Sequence, residues 1–229
     1  MKAKSKVKIL TDLLMTATLI FLMAYQVTGT QFHEWLGAGM MALFLCHNVL
    51  NLRWYGALFQ GKYTTVRALR TVTNLTALLA VLCLAASGII MSRYVFAFLP
   101  IHTGTALARV VHLSGAYWGF TLMSIHLGLH WGMVLNMCRK ALGRKAPMVL
   151  VWVSRVCAAA VAVYGAFCFC RADVVSYLFL TVKFAFLDYE KRAFWVFVEY
   201  IAMMGFWVFI SYYAAKTLGK KMPAASKRR

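Results

Sequence analysis

The chain has 229 residues, 62% of them hydrophobic and 14% charged, and its mean hydropathy is +0.71. Soluble domains are about 45–50% apolar and about 25% charged, so a soluble enzyme, a secreted disulfide scaffold and a disordered protein are all excluded. The net charge of +19 would suit a nucleic-acid binder, but the lysines and arginines stand in short blocks between apolar stretches, the placement that sets membrane topology, and no nucleic-acid partner is expected.

A membrane-spanning helix needs about 20 mostly apolar residues. Six spans are predicted, at about 9–28, 33–53, 72–92, 107–136, 148–170 and 193–215. The first follows MKAKSKVK, which looks like a signal-peptide start. Its apolar run is too long and lacks a small-x-small cleavage site, so it reads as a retained helix. The short connector VTGTQ leads to the second span. The fourth is the longest and is expected to tilt or to project beyond the bilayer. Between the fifth and sixth spans lies a segment at 171–192, whose apolar middle VVSYLFLTVKFAF is too short to cross. It is expected to form an interfacial helix on the outer face. A loop resting on lipid is the plainer alternative, and a gate over a quinone or partner site the sharper one.

The basic residues divide between the two sides. Eighteen of the 25 fall on one side: Lys2, Lys4, Lys6 and Lys8; Arg53, Lys62, Arg67 and Arg70; Arg139, Lys140, Arg144 and Lys145; and six in the C-terminal stretch from Lys216. Arg93, Arg109, Arg171, Lys183, Lys191 and Arg192 lie on the other, with five of the six acids. The expectation is a multi-pass protein of the cytoplasmic membrane with both termini cytoplasmic. The basic tail GKKMPAASKRR would be solvated or would touch headgroups.

No C-x-x-C-H occurs among the six cysteines, which excludes covalent c-type haem attachment. Cys168 and Cys170 are spaced for neither a common zinc site nor an unstrained disulfide, and read as reduced cysteines at a helix end.

The histidines carry the chemistry. Of the six, His102 reads as a solvated loop residue, and the other five fall on two spans: His33 and His47 on the second, His112, His126 and His130 on the fourth. Coordinating groups inside a membrane are candidates for function. His33 to His47 and His112 to His126 are both 14 residues, about 21 Å along a helix and within about 40° of one face. Both spans run in the same direction. His33 can therefore face His112 near the outer surface and His47 face His126 near the inner one, and two such imidazoles are the natural axial pair of a haem iron. A single zinc or copper site would need its ligands clustered. The reading is two non-covalent b haems, one per leaflet. His130, five turns from His112, is an alternative inner ligand or a contact to a propionate or quinone.

Gly37, Gly39, Gly115, Gly119, Gly128 and Gly132 could make room for a flat macrocycle or serve close helix packing. Arg109 and Arg93 on the outer side and Arg53 on the inner side could hold propionates or snorkel to headgroups.

The stretches HEWLGAGMMALFLCHNVLNLRWY, SGIIMSRYVFAFLPI and ARVVHLSGAYWGFTLMSIHLGLHW resemble the flavinylation-associated cytochrome family of bacterial membranes, once known only as a domain of unknown function. The resemblance covers roughly residues 10–136. It rests on the H-E-x-x-G and H-x-x-x-N block and the H-x-G-x-H-W block. It implies a b-type membrane cytochrome that moves electrons between membrane quinols and flavin-bearing proteins outside the cytoplasm.

The expected architecture is thus all-α and integral to the membrane. Residues 1–136 form a four-helix di-haem cytochrome b-like bundle, and 137–229 add two further spans, the outer segment and the tail. The chain is an electron-transfer subunit, or the quinol-oxidising component of an oxidoreductase, with no G-x-G-x-x-G nucleotide fingerprint of its own. Its candidate partners are membrane lipid, a quinol or quinone, and an extracytoplasmic redox protein. A ferric-reductase-like or hydrogenase-type cytochrome subunit is the nearest rival. A transporter or assembly factor using histidines for metal or proton relay is the rival from another class. It would need acids in its spans and broken half-helices, whereas Asp12 is the only acid towards the inner side.

Overall fold

The computed structural model describes residues 3–101, 103–143 and 147–220. His102, Arg144, Lys145 and most of the basic tail, with the expectations placed on them, lie outside the described residues. Among the described residues there are eight helices and no strand. They are α1 (Ala3–Met23), α2 (Tyr25–Leu50), α3 (Leu52–Ala57), α4 (Thr65–Met91), α5 (Thr105–Leu142), α6 (Met148–Arg171), α7 (Val174–Leu178) and α8 (Ala193–Lys220).

Three stretches are long and apolar enough to cross a membrane: Thr65–Met91, Met148–Arg171 and Ala193–Gly219. They mark the chain as a membrane protein. On α6 the apolar side chains point outward, with Val149, Trp152, Val156, Val163 and Phe167 all exposed, the pattern of a helix suited to lipid contact. Helices α1, α2 and α5 are also long, at 21, 26 and 38 residues. They do not meet the same criterion of length, hydropathy and few charges, although five of the six histidines lie on α2 and α5.

The chain divides into two compact units. The first comprises Met1–Gly61, Leu79–Phe120 and Val174–Tyr200, and the second Lys62–Leu78, Thr121–Asp173 and Ile201–Arg229. The boundary expected at residue 136 falls within the second unit.

In the first unit α1 and α2 form an antiparallel pair. The connector VTGTQ, expected to be non-helical, is instead largely helical. The reversal is made by Ala24 and by Gly29, whose φ of 70° and ψ of 171° interrupt α2. That left-handed φ costs an L-residue about 1–2 kcal/mol and glycine nothing. Contacts from Lys8 to Asn51, Thr11 to Cys46 and Asp12 to His47 keep one register, centred on Gly29 and Thr30. Helix α2 ends at Leu50, short of the expected residue 53, and Arg53 belongs to the separate turn of α3.

In segment 171–192, expected to form an interfacial helix, α7 is a helix of five residues, and Asp173 and Leu180 flank it with positive φ of 46° and 56°. Val174, Tyr177 and Leu178 are buried, while Val175, Phe179, Phe184 and Phe186 are exposed. Tyr177 stacks on Tyr117 of α5 at 4.5 Å with the rings 7° from parallel, and the Trp118 indole N–H donates to the Leu178 carbonyl at 2.9 Å. The buried tyrosine and the unpaired carbonyl at the end of α7 make this a docked strap, because both gain a partner on α5 that lipid could not supply.

In the second unit helix packing depends on glycine. A Cβ on Gly165 of α6 would lie 1.9 Å from the Ala202 carbonyl oxygen of α8. One on Gly128 of α5 would lie 1.9 Å from Ser211 Oγ and 2.6 Å from the Val208 carbonyl oxygen. Helix α4 begins at Thr65 rather than at 72, because the Thr64 hydroxyl accepts from the Arg67 backbone N–H at 3.2 Å and Arg67 and Arg70 are good helix formers. Cys168 and Cys170, on the last turn of α6, form no disulfide.

Candidate functional site

The first unit brings His33 and His112 together. His33 lies four residues past the Gly29 reversal, and the ring of Tyr25 packs edge-on against it at 5.1 Å. His112 reaches it from α5. The two imidazole centres are 6.1 Å apart and their planes 68° from parallel. A metal–imidazole bond is about 2.0–2.1 Å, and the ring centre lies about 1.1 Å beyond the nitrogen, so one ion held between two opposed imidazoles sets their centres about 6.3 Å apart. The observed spacing matches that span.

The hydrogen bonds of these rings set their tautomers. His112 Nδ1 lies 3.1 Å from Ser87 Oγ, a side chain 3% exposed. The Ser87 hydroxyl hydrogen is directed to the Cys83 and Leu84 carbonyls, at 2.7 and 3.1 Å. Ser87 oxygen is thus left to accept, His112 Nδ1 donates, and the ring's lone pair is left on Nε2. His33 Nδ1 is buried and has no hydrogen-bond partner, which leaves a desolvated polar atom on the other ring of the pair. Gly88, next to Ser87, also borders the His112 ring, where a Cβ would make ordinary contact at 3.5 Å from its Cε1.

His47 and His126 are anchored in the same sense. His47 Nδ1 is 2.8 Å from Asp12 Oδ1, and a carboxylate can only accept, so this ring too donates from Nδ1. In the second unit His126 Nδ1 lies 2.7 Å from Asn74 Oδ1, with the His130 ring 4.8 Å away and tilted by 44°. Among the described residues no three histidine, cysteine or acidic side chains gather as a metal site.

Around the first pair, Glu34 ties α2 to the turn after α4. Its carboxylate accepts from Ser92 Oγ at 2.7 Å and from the backbone N–H groups of Arg93, Tyr94 and Val95 at 2.9, 2.9 and 3.2 Å. Arg53, Arg93 and Arg109 are all exposed at their helix ends. Of the glycines, Gly37 and Gly39 have nothing within 4 Å of a built Cβ, but Gly115 and Gly119 receive Leu84 of α4 at 3.3 and 3.2 Å. At Gly115, Gly119 and Gly128 the close-packing alternative is therefore the one observed.

Sequence reasoning singled out the five histidines but passed over Ser87, Asn74, Asp12 and Glu34 as their supports. Asp12 carried a signal, being an ionisable residue on the face of an apolar span. Ser87 and Asn74 carried none, because hydroxyl and amide side chains are common in helices and their partners are distant in sequence. Compared with family models, curated proteins and solved structures, the chain matches none.

Proposed function

We propose that the chain is a b-type membrane cytochrome. In this reading α1, α2, α4, α5, α6 and α8 are its six spans, both termini are cytoplasmic, and two haems carry electrons across the bilayer. The observation that carries the reading is the His33–His112 pair, 6.1 Å between ring centres, with His112 held in its Nδ1–H tautomer by Ser87. Two imidazoles complete a coordination sphere where a macrocycle supplies the other ligands, which is the chemistry of a haem iron. His33 and His112 would hold the outer haem. The second rests on the matched 14-residue spacing, which gives it His47 and His126, or His130 in place of His126. Nδ1 anchoring of His47 by Asp12 and of His126 by Asn74 supports both as ligands. Exposed Arg93 and Arg109, and Arg53 at the other surface, are the candidate propionate contacts.

The haem supplies the one-electron chemistry, and the protein supplies ligation, orientation and electrostatics. The family resemblance extends the proposal to partners: a quinol or quinone in the membrane and a flavin-bearing protein outside the cytoplasm. A reduced-minus-oxidised spectrum of the purified protein tests the reading, and a split low-spin b-type band is expected. His33→Ala and His112→Ala should each remove the same half of it. A protein without haem, or variants that keep the full signal, would refute the assignment. Reporter fusions at Lys221 and in the 94–104 loop should give opposite signals, and like signals would refute the topology.

A further inference from the structure

The second unit has a cleft of about 320 Å³ where the first turns of α4, the middle of α5 and the last turns of α8 meet. Its lining includes Arg70, His130, Tyr212 and Lys216, with Val66 and Met133 among the apolar walls, and no carboxylate. Asp173 is the one acidic residue of the whole unit, so these cations have no internal counter-ion in the cleft. Both cations are positioned. One guanidinium nitrogen of Arg70 donates to the Leu129 carbonyl at 3.0 Å, which fixes the fork and leaves other N–H donors for a ligand. The Lys216 ammonium stands 5.9 Å from the Tyr212 ring centre and 5.8 Å from that of Tyr213.

From this we propose that the cleft binds the phosphate of an anionic phospholipid. An anchored arginine and an exposed lysine without an acid select an anion, and phosphate is matched by an arginine fork beside a lysine. The helices on either side, α4 and α8, are apolar enough to span, and the cleft lies at their ends, where headgroups are. Val66 and Met133 continue the cleft into an apolar wall suited to acyl chains. Basic pockets between spanning helices are the usual setting for anionic headgroups. The proposal uses neither the His33–His112 pair nor His126, and it shares only His130 with the alternative inner ligand set.

Titration of the detergent-purified full chain with dioleoyl-phosphatidylglycerol, read by native mass spectrometry, tests it, with dioleoyl-phosphatidylcholine and inorganic phosphate as the comparison probes. Phosphatidylglycerol should be retained at least tenfold better than phosphatidylcholine. Lys216→Gln should weaken its binding about fivefold, and Arg70→Gln with Lys216→Gln by more than tenfold. Millimolar inorganic phosphate should not displace it, because the free anion lacks the chains. Arg70 also holds the Leu129 carbonyl, so the single Lys216→Gln variant, checked for native helix content, decides the matter should the double variant not fold. Equal retention of the two lipids, native affinity in Lys216→Gln, or displacement by phosphate would each overturn the proposal.

Discussion

Replacing Ser87 by Ala tests the link between local geometry and ligand binding. The variant deletes the acceptor of His112 Nδ1–H at a position 3% exposed, where water cannot take its place. In the ligand-free protein the imidazole can exchange tautomer or rotate, so little is lost there. Once Nε2 is committed to a metal, Nδ1 must carry its proton, and losing the Ser87 acceptor of that buried N–H, with only the Leu84 backbone nearby, costs about 1–3 kcal/mol. At about 1.4 kcal/mol per tenfold, affinity at the His33–His112 site should fall about 5- to 150-fold. This range contains the 10- to 100-fold typical of losing such a support. Haem titration of the apoprotein, following the absorbance that His33→Ala removes, is the assay. Ser87→Thr, which keeps a hydroxyl able to donate to the same carbonyls, should restore most of the affinity. Ser87→Ala binding within threefold of the native protein would refute the reasoning.

Asp12→Asn keeps an acceptor for His47 Nδ1 but removes the charge, which makes the imidazole a weaker electron donor; under the proposed assignment the potential of a haem held by His47 should rise, read by redox titration, while that of one held by His33 and His112 stays unchanged. Glu34→Gln should loosen the turn after α4, with the amides of Arg93, Tyr94 and Val95 exchanging about tenfold faster in hydrogen–deuterium exchange. Gly128→Ala should destabilise the protein by about 1–3 kcal/mol in thermal unfolding, since its Cβ would meet the Val208 backbone of α8. Gly39→Ala, with nothing within 4 Å, should be neutral or slightly stabilising.

The helices were legible in the sequence because long apolar runs and basic punctuation mark them directly. The His33–His112 pairing was legible as well, since helical periodicity converts a spacing into a face. What escaped the reading was non-local or depended on backbone detail. The reversal at Gly29 looked like a polar connector, and only the backbone shows that one glycine with positive φ lets the helix resume at once. Segment 171–192 was apolar in a way that suits lipid and protein equally. Its choice of protein follows from Tyr117, Trp118 and Ser114, which lie about 60 residues away and offer a stacking face and two donors for the Leu178 carbonyl. Gly115 and Gly119 followed His112 as a haem cradle would, yet Leu84 on α4 fills the space, and no local pattern in α5 announces that neighbour.

The pivot at Gly29 also implies an order of assembly. The first two helices reverse with almost no loop and share one antiparallel register, so this hairpin can form once residue 51 has left the ribosome. His33 is then in place, and His47 is already tethered to Asp12. His112 lies 61 residues beyond Asn51. At synthesis rates of about 5–20 residues per second it emerges about 3–12 s later. During that interval the early half-site presents one imidazole without its partner, and anything gripped by both rings can be captured only after α5 has been made. Maturation of the His33–His112 site is thereby coupled to translation: truncated nascent chains ending before residue 112 should insert the hairpin yet fail to retain the ligand.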